Sequence, residues 1–130
     1  MAMKIMFEHK GIEYRAAIAT IEETHLGFED HGILTISLIL NGADGWGQSA
    51  GNRFLGNRET ISPYLGLQMT AIMKVLGVLK WEDVKGKQIL ALYDKESPFG
   101  RIVGIANFND QNKVLNFDDH AKEFELTQGG

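Results

Sequence analysis

"IEYRAAIATIEETHLGFEDHGILTISLIL", residues 12–40, decides the fold class. Ile12, Tyr14, Ala16 and Ile18 alternate with polar or small residues, which is the period of a β-strand. The turn formers Gly27, Asp30 and Gly32 follow. Beyond them Leu34, Ile36, Leu38 and Leu40 fall on one face, with Ile33, Thr35, Ser37 and Ile39 on the other. Two β-rich runs around a short turn predict an antiparallel hairpin.

Upstream, "KIMF" predicts a short edge strand within an N-terminal edge segment, residues 1–11. Downstream lies "NGADGWGQSAGNRFLG", residues 41–56, with five glycines. The strongest helix signal comes next. Ser62 suits an N-cap and Pro63 the first helical position. Leu65, Met69, Ile72, Met73 and Leu76 keep helical spacing, with Leu67, Ala71 and Val75 widening the stripe. Gly77 is placed for a C-terminal stop. "KWEDVKGK" reads as a turn, then "QILALYD" and "GRIVGIANF" as two strands joined around "KESPFG". "KVLNF" adds a short third strand and "DDHAKEFE" a helical turn. Residues 126–130 are expected to fray. The expectation is an α+β single domain, residues 1–130: a small antiparallel sheet with one main buried helix, in the order β-hairpin, helix, β-hairpin.

The totals fit one domain with a real core: 130 residues, 44% apolar and 23% charged. A formal net charge of -4 argues against coating long nucleic acid, which needs a basic surface. Without cysteine, disulfides and thiolate metal sites are absent. The first residues lack the apolar core of a signal peptide, and no apolar run nears the ~20 residues that span a bilayer. A soluble cytoplasmic protein is the expectation.

Four regions carry candidate chemistry. His25, Glu29, Asp30 and His31 could serve as metal ligands or an acid/base pair, but their spacing matches no metal motif. A hairpin turn is the favoured reading. Gly45, Gly47 and Gly51 echo a dinucleotide fingerprint without the strand, turn and helix it needs, and no Walker lysine follows. The Gly-rich stretch therefore has two readings. In one, it forms a wide bend or bulged strand, with Trp46 and Phe54 packed on the core. In the other, the backbone at Gly47 and Gly51 approaches an anion or a planar base, while Gln48 and Asn52 supply polar groups. Arg53 and Arg58 would then face phosphate. Further on, Phe99 sits at a turn tip suited to stacking and Arg101 suits phosphate. Asn107 and Asn109 alternate with Phe108 and would share a strand face, while an ordinary hairpin remains the simpler account. No nucleophile elbow occurs, and the adjacent carboxylates Glu22-Glu23 and Asp118-Asp119 make no ready acid/base couple.

Three blocks carry a family resemblance. Leu26–Thr35 follows L-G-x-E-D-H-G-I-x-T, Gly47–Asn52 follows G-Q-G-x-G-G, and Gly77–Lys87 follows G-V-x-x-W-E-x-L-x-G-K. In this order they resemble the first Thoeris anti-defence family, small phage-encoded proteins. The resemblance covers most of residues 17–125 and implies a non-enzymatic sponge. Such a protein binds a cyclic ADP-ribose isomer, or in some relatives cyclic oligonucleotides, and sequesters the immune signal without cleaving it. It also implies self-association into dimers or larger oligomers, a place in the cytoplasm of the infected bacterial host, and no cofactor. Ser49 and Asn52 stand where the family has glycine, which implies a narrower or differently tuned pocket. Matched by chemistry, the ligand residues are Gly47, Gln48, Gly51, Asn52, Arg53, Phe99, Arg101, Asn107 and Asn109. The alternative is a phage protein-interaction module that docks on a host protein.

Overall fold

A computed structural model describes residues 5–94 and 100–128. The chain is α+β, as the patterning predicts, but with more strands and a second helix. The strands are β1 (Ile5–His9), β2 (Ile12–Phe28), β3 (Leu34–Gly42), β4 (Gly47–Phe54), β5 (Gln88–Asp94), β6 (Ile102–Asn107) and β7 (Val114–Asn116). The helices are α1 (Tyr64–Leu76) and α2 (Phe117–Gln128). All pairings are antiparallel, in the order β4-β3-β2-β5-β6-β7, with β1 also on β2.

β2 is the spine of the sheet. β5 pairs with residues 14–20 of one edge. β1 pairs with residues 12–16 and β3 with residues 19–28. A strand has two edges, so β1 and β3 share the other one, end to end. The β1–β2 turn is Lys10-Gly11, both at positive φ, as a two-residue hairpin loop with right-handed strand twist requires. The β2–β3 turn is a single 3-10 turn at Asp30–Gly32.

Cores lie on both faces of the sheet. Ala17, Ala19, Ile21, Leu38, Leu40, Ile89 and Ala91 pack under Ile72, Val75 and Leu76 of α1. On the same side, Leu34 and Ile36 pack with Leu55, Tyr64 and Ala121. The Leu34-Ile36-Leu38-Leu40 face is therefore buried throughout, as its alternation predicts. The opposite face holds Phe7, Tyr14, Ala16, Leu90, Leu92 and Ala106. Tyr14 Oη accepts a 3.1 Å bond from Asn116 Nδ2 of β7. Two-sided burial explains why Ala16 and Ala17, neighbours that point to opposite faces, are both inside; Ile12 and Ile18 are exposed.

α1 begins after Ser62, whose Oγ accepts the Tyr64 N–H at 3.2 Å. It ends at Gly77 in the left-handed conformation, with the Gly77 N–H bonded to Lys74 O and Met73 O. Its buried residues are Tyr64, Gln68, Ile72, Val75 and Leu76, while Leu67 is exposed, so the buried stripe is narrower than expected. α2 is three turns rather than one. Asn116 Oδ1 caps the Asp119 N–H at 3.1 Å, and Phe117 and Ala121 are buried on one side. Leu126–Gln128, expected to fray, belong to this helix. Among the described residues no helix is long and apolar enough to cross a membrane.

Candidate functional site

The Gly-rich stretch is a strand, β4, and it is bulged. Between Ile36 and Leu38 of β3, the partner residues step from Arg53 to Ala50, so β4 carries one extra residue. Gly51, at φ +69, takes the left-handed position such a bulge requires. Its missing side chain also matters. A Cβ there would lie 3.0 Å from Phe117 Cε1 and 3.4 Å from Gln68 Nε2. Gly51 is therefore pressed against α1 and α2, and its carbonyl accepts a 2.8 Å bond from Gln68 Nε2. Gly42 has a parallel role: Trp46 occupies the space its side chain would need. Trp46 packs on the core at 6.3 Å from the Tyr93 ring. Phe54 does not pack there; it is 78% exposed, because its pairing with Thr35 turns it to the face away from the helices.

Alternation puts Gln48 and Arg53 on the helix side of β4, and the curl of the sheet brings β4 to the start of β6. Gln48 stitches the two together. Its Nε2 donates to Gly100 O at 3.2 Å, and its Oε1 accepts from Tyr93 Oη at 3.3 Å. Burial holds the Tyr93 phenol above its ordinary 10.0.

A cavity of about 350 Å³ lies on this seam, walled by Gln48–Arg53, Arg101-Ile102 and Phe117-Asp118. Two guanidiniums converge there, Arg53 from β4 and Arg101 from the residue just before β6. Arg53 sits 5.7 Å over the Tyr64 ring and donates to Asp118 Oδ1 at 3.2 Å. Arg101 bonds the other carboxylate oxygen of Asp118. Arg53 Nε is buried with no hydrogen-bond partner. Tyr64 in turn lies 2.5 Å from His120 Nδ1 through its hydroxyl. Burial raises the Tyr64 phenol above 10.0, with Arg53 pulling it the other way. The arrangement brings one held guanidinium, Arg53, and one more exposed, Arg101, to a single cavity, and planar guanidiniums suit an anion of phosphate geometry.

Of the nine residues assigned by chemistry, Gln48, Gly51, Asn52, Arg53 and Arg101 line this cavity. Gly47 pairs with Asn41 at the start of β4 and does not line it. Phe99 lies outside the described residues. Asn107 is elsewhere. Its Nδ2 donates to Val75 O at 2.8 Å, and its Oδ1 accepts the Asn109 and Asp110 N–H groups. β6 ends at Asn107, so Asn109 is a turn residue rather than a second side chain on the same strand face. The pattern missed Asp118, Phe117 and Tyr64. Asp118 and Asp119 sit in the first turn of a helix, not on a strand, and their role depends on a contact 65 residues away.

A second cavity, of about 580 Å³, opens on the other face of β3 and β4. It is larger and shares Asn52 and Arg53 with the first, but three of its polar side chains, His25, Glu29 and Thr35, engage one another. His25 Nε2 and Glu29 Oε1 are 2.5 Å apart, and Thr35 Oγ1 donates to Glu29 at 3.2 Å. The smaller cavity is the better candidate, because its described lining has both Arg53 and Arg101, whereas the larger one has Arg53 without Arg101. His31 occupies the left-handed position of the β2–β3 turn. Among the described residues no three His, Asp or Glu side chains are grouped to hold a metal ion.

Comparison with protein-family models, with curated proteins and with solved structures gives no match.

Proposed function

We propose that this chain binds a small nucleotide-type anion in the cavity between β4, β6 and α2, and holds it chemically unchanged. The observation that carries this reading is the convergence of Arg53 and Arg101 on one cavity beside the Gly51-Asn52 bulge. Planar guanidiniums suit phosphate oxygens. The cavity is the size of a small molecule site and not of a nucleic-acid groove, in keeping with the acidic net charge. The three sequence blocks that resemble the first Thoeris anti-defence family narrow the ligand to a cyclic ADP-ribose isomer or a cyclic oligonucleotide. On this reading the chain is a phage sponge for an immune signal, self-associated in the host cytoplasm.

Native mass spectrometry with a panel of these cyclic nucleotides tests it, followed by denaturation and analysis of the released ligand. Intact ligand supports sequestration. Release of hydrolysed product alone overturns it. A second reading, a surface that docks on a host protein, draws on exposed Phe54, Phe28 and Leu26. Absence of any bound mass across the panel favours that reading.

A further inference from the structure

We propose that Asp118 is a built-in competitor for the ligand's anionic group and makes the cavity selective for multiply charged anions. This inference rests on the anion-binding reading of the same cavity. Asp118 is the second residue of α2. Its two oxygens bond Arg53 and Arg101, one each. Two cations share one carboxylate, so a single positive charge remains. The carboxylate thus sits where an incoming oxyanion gains most.

The exchange is feasible without unfolding. Phe117 anchors the start of α2 in the core at 4% exposure. The Asp118 side chain is 43% exposed and Arg101 is 68% exposed, so both are free to turn toward solvent. Arg53 is the fixed member, 25% exposed and held over the Tyr64 ring. Displacement exchanges one carboxylate for another group on the same donors. A monoanionic carboxylate or sulfonate ligand gains almost nothing by that exchange. A phosphate dianion or a diphosphate gains, because it brings more charge and more acceptor oxygens to both guanidiniums. Once the carboxylate has left, the N-terminal end of α2 favours the same anion.

The test is an NMR titration read at the Arg53 and Arg101 Nε–Hε signals, with inorganic pyrophosphate and acetate as probes. In the wild type, pyrophosphate moves both signals and acetate moves neither. D118N, which keeps the side-chain shape and removes the charge, is expected to bind pyrophosphate on the order of fivefold more tightly, the scale of one exposed ion pair. Acetate then also moves both signals. Amide spectra report whether D118N is folded. If it is not, the Asp118 carboxylate ¹³C signal of the wild type reads the same event, moving when pyrophosphate is added. Unchanged or weaker pyrophosphate binding by folded D118N makes Asp118 a holder of the arginines; the competitor idea then falls and the anion site stands. If pyrophosphate moves neither arginine in either protein, both fall.

Discussion

Gly51→Ala separates what a glycine at the bulge does for packing from what it does for backbone conformation. At φ +69, an alanine meets left-handed strain of about 1–2 kcal/mol. Its Cβ also arrives 3.0 and 3.1 Å from two ring carbons of Phe117, closer than ordinary contact. Phe117 is buried between the sheet and α2, so its ring shifts only by straining neighbours, at roughly 1–3 kcal/mol. Reduced freedom of the unfolded chain returns about 0.5–1 kcal/mol. The net expectation is a loss of about 2–3 kcal/mol, a large part of the roughly 5–15 kcal/mol that holds a domain folded. Gly45→Ala is the control. It has φ +98 and nothing within 4 Å of its Cβ position, so only the backbone strain applies. Equilibrium urea unfolding measures both, with slopes of about 1–3 kcal/mol per molar converting midpoints to free energies. G51A should fall below G45A by more than about 1 kcal/mol. Equal midpoints for the two variants would refute the claim that Gly51 is needed for its contact with Phe117.

Other perturbations follow from the same contacts. Asn107→Ala removes the bond to Val75 O and both turn bonds. It should cost about 1–3 kcal/mol in urea unfolding and leave ligand affinity within twofold; a large loss of affinity in the folded variant would put Asn107 back at the site. Ile72→Ala empties a fully buried position between α1 and the sheet, and a loss of about 2–5 kcal/mol is expected in the same assay. Tyr64 and Tyr93 are both raised above 10.0 chiefly by burial. For a phenol, a folded value above the unfolded one means the neutral form is favoured in the native state. That contribution to stability is complete below pH 10 and is lost as pH climbs through the folded values. Absorbance titration near 295 nm should therefore show two tyrosines ionising above 10.0, with urea midpoints falling over the same range. Early ionisation of both, at 10 or below, would contradict their burial.

The sequence carried the strongly periodic elements well. The β2–β3 hairpin was legible because Leu34, Ile36, Leu38 and Leu40 keep period two over a fully buried face. α1 was legible because Ser62 and Gly77 mark its ends. β4 was harder to read, since Gly47, Gly51 and Asn52 are poor strand formers. It is a strand because β3 presents an unpaired edge to it, and the glycine at Gly51 fits the bulge. α2 looked like a single turn because its apolar residues, Phe117, Ala121 and Phe124, are sparse among charges; packing against Tyr64 supplies the rest. At the candidate site, arginines and glycines were visible as types of residue. Their meeting was not, because Arg53 and Arg101 are joined through Asp118 only once the sheet curls and α2 docks. Asn107 misled for a related reason: an amide that closes a turn has the same letter as one that reads a ligand.

The most direct measurement is amide and arginine side-chain NMR of the protein with each member of a panel of cyclic ADP-ribose isomers and cyclic oligonucleotides added in turn. The account predicts saturable shifts confined to Gln48–Arg53, Arg101 and the first turn of α2, with the nucleotide recovered intact afterwards. Shifts centred instead on His25, Thr35 and Phe54, or none with any member of the panel, would contradict it.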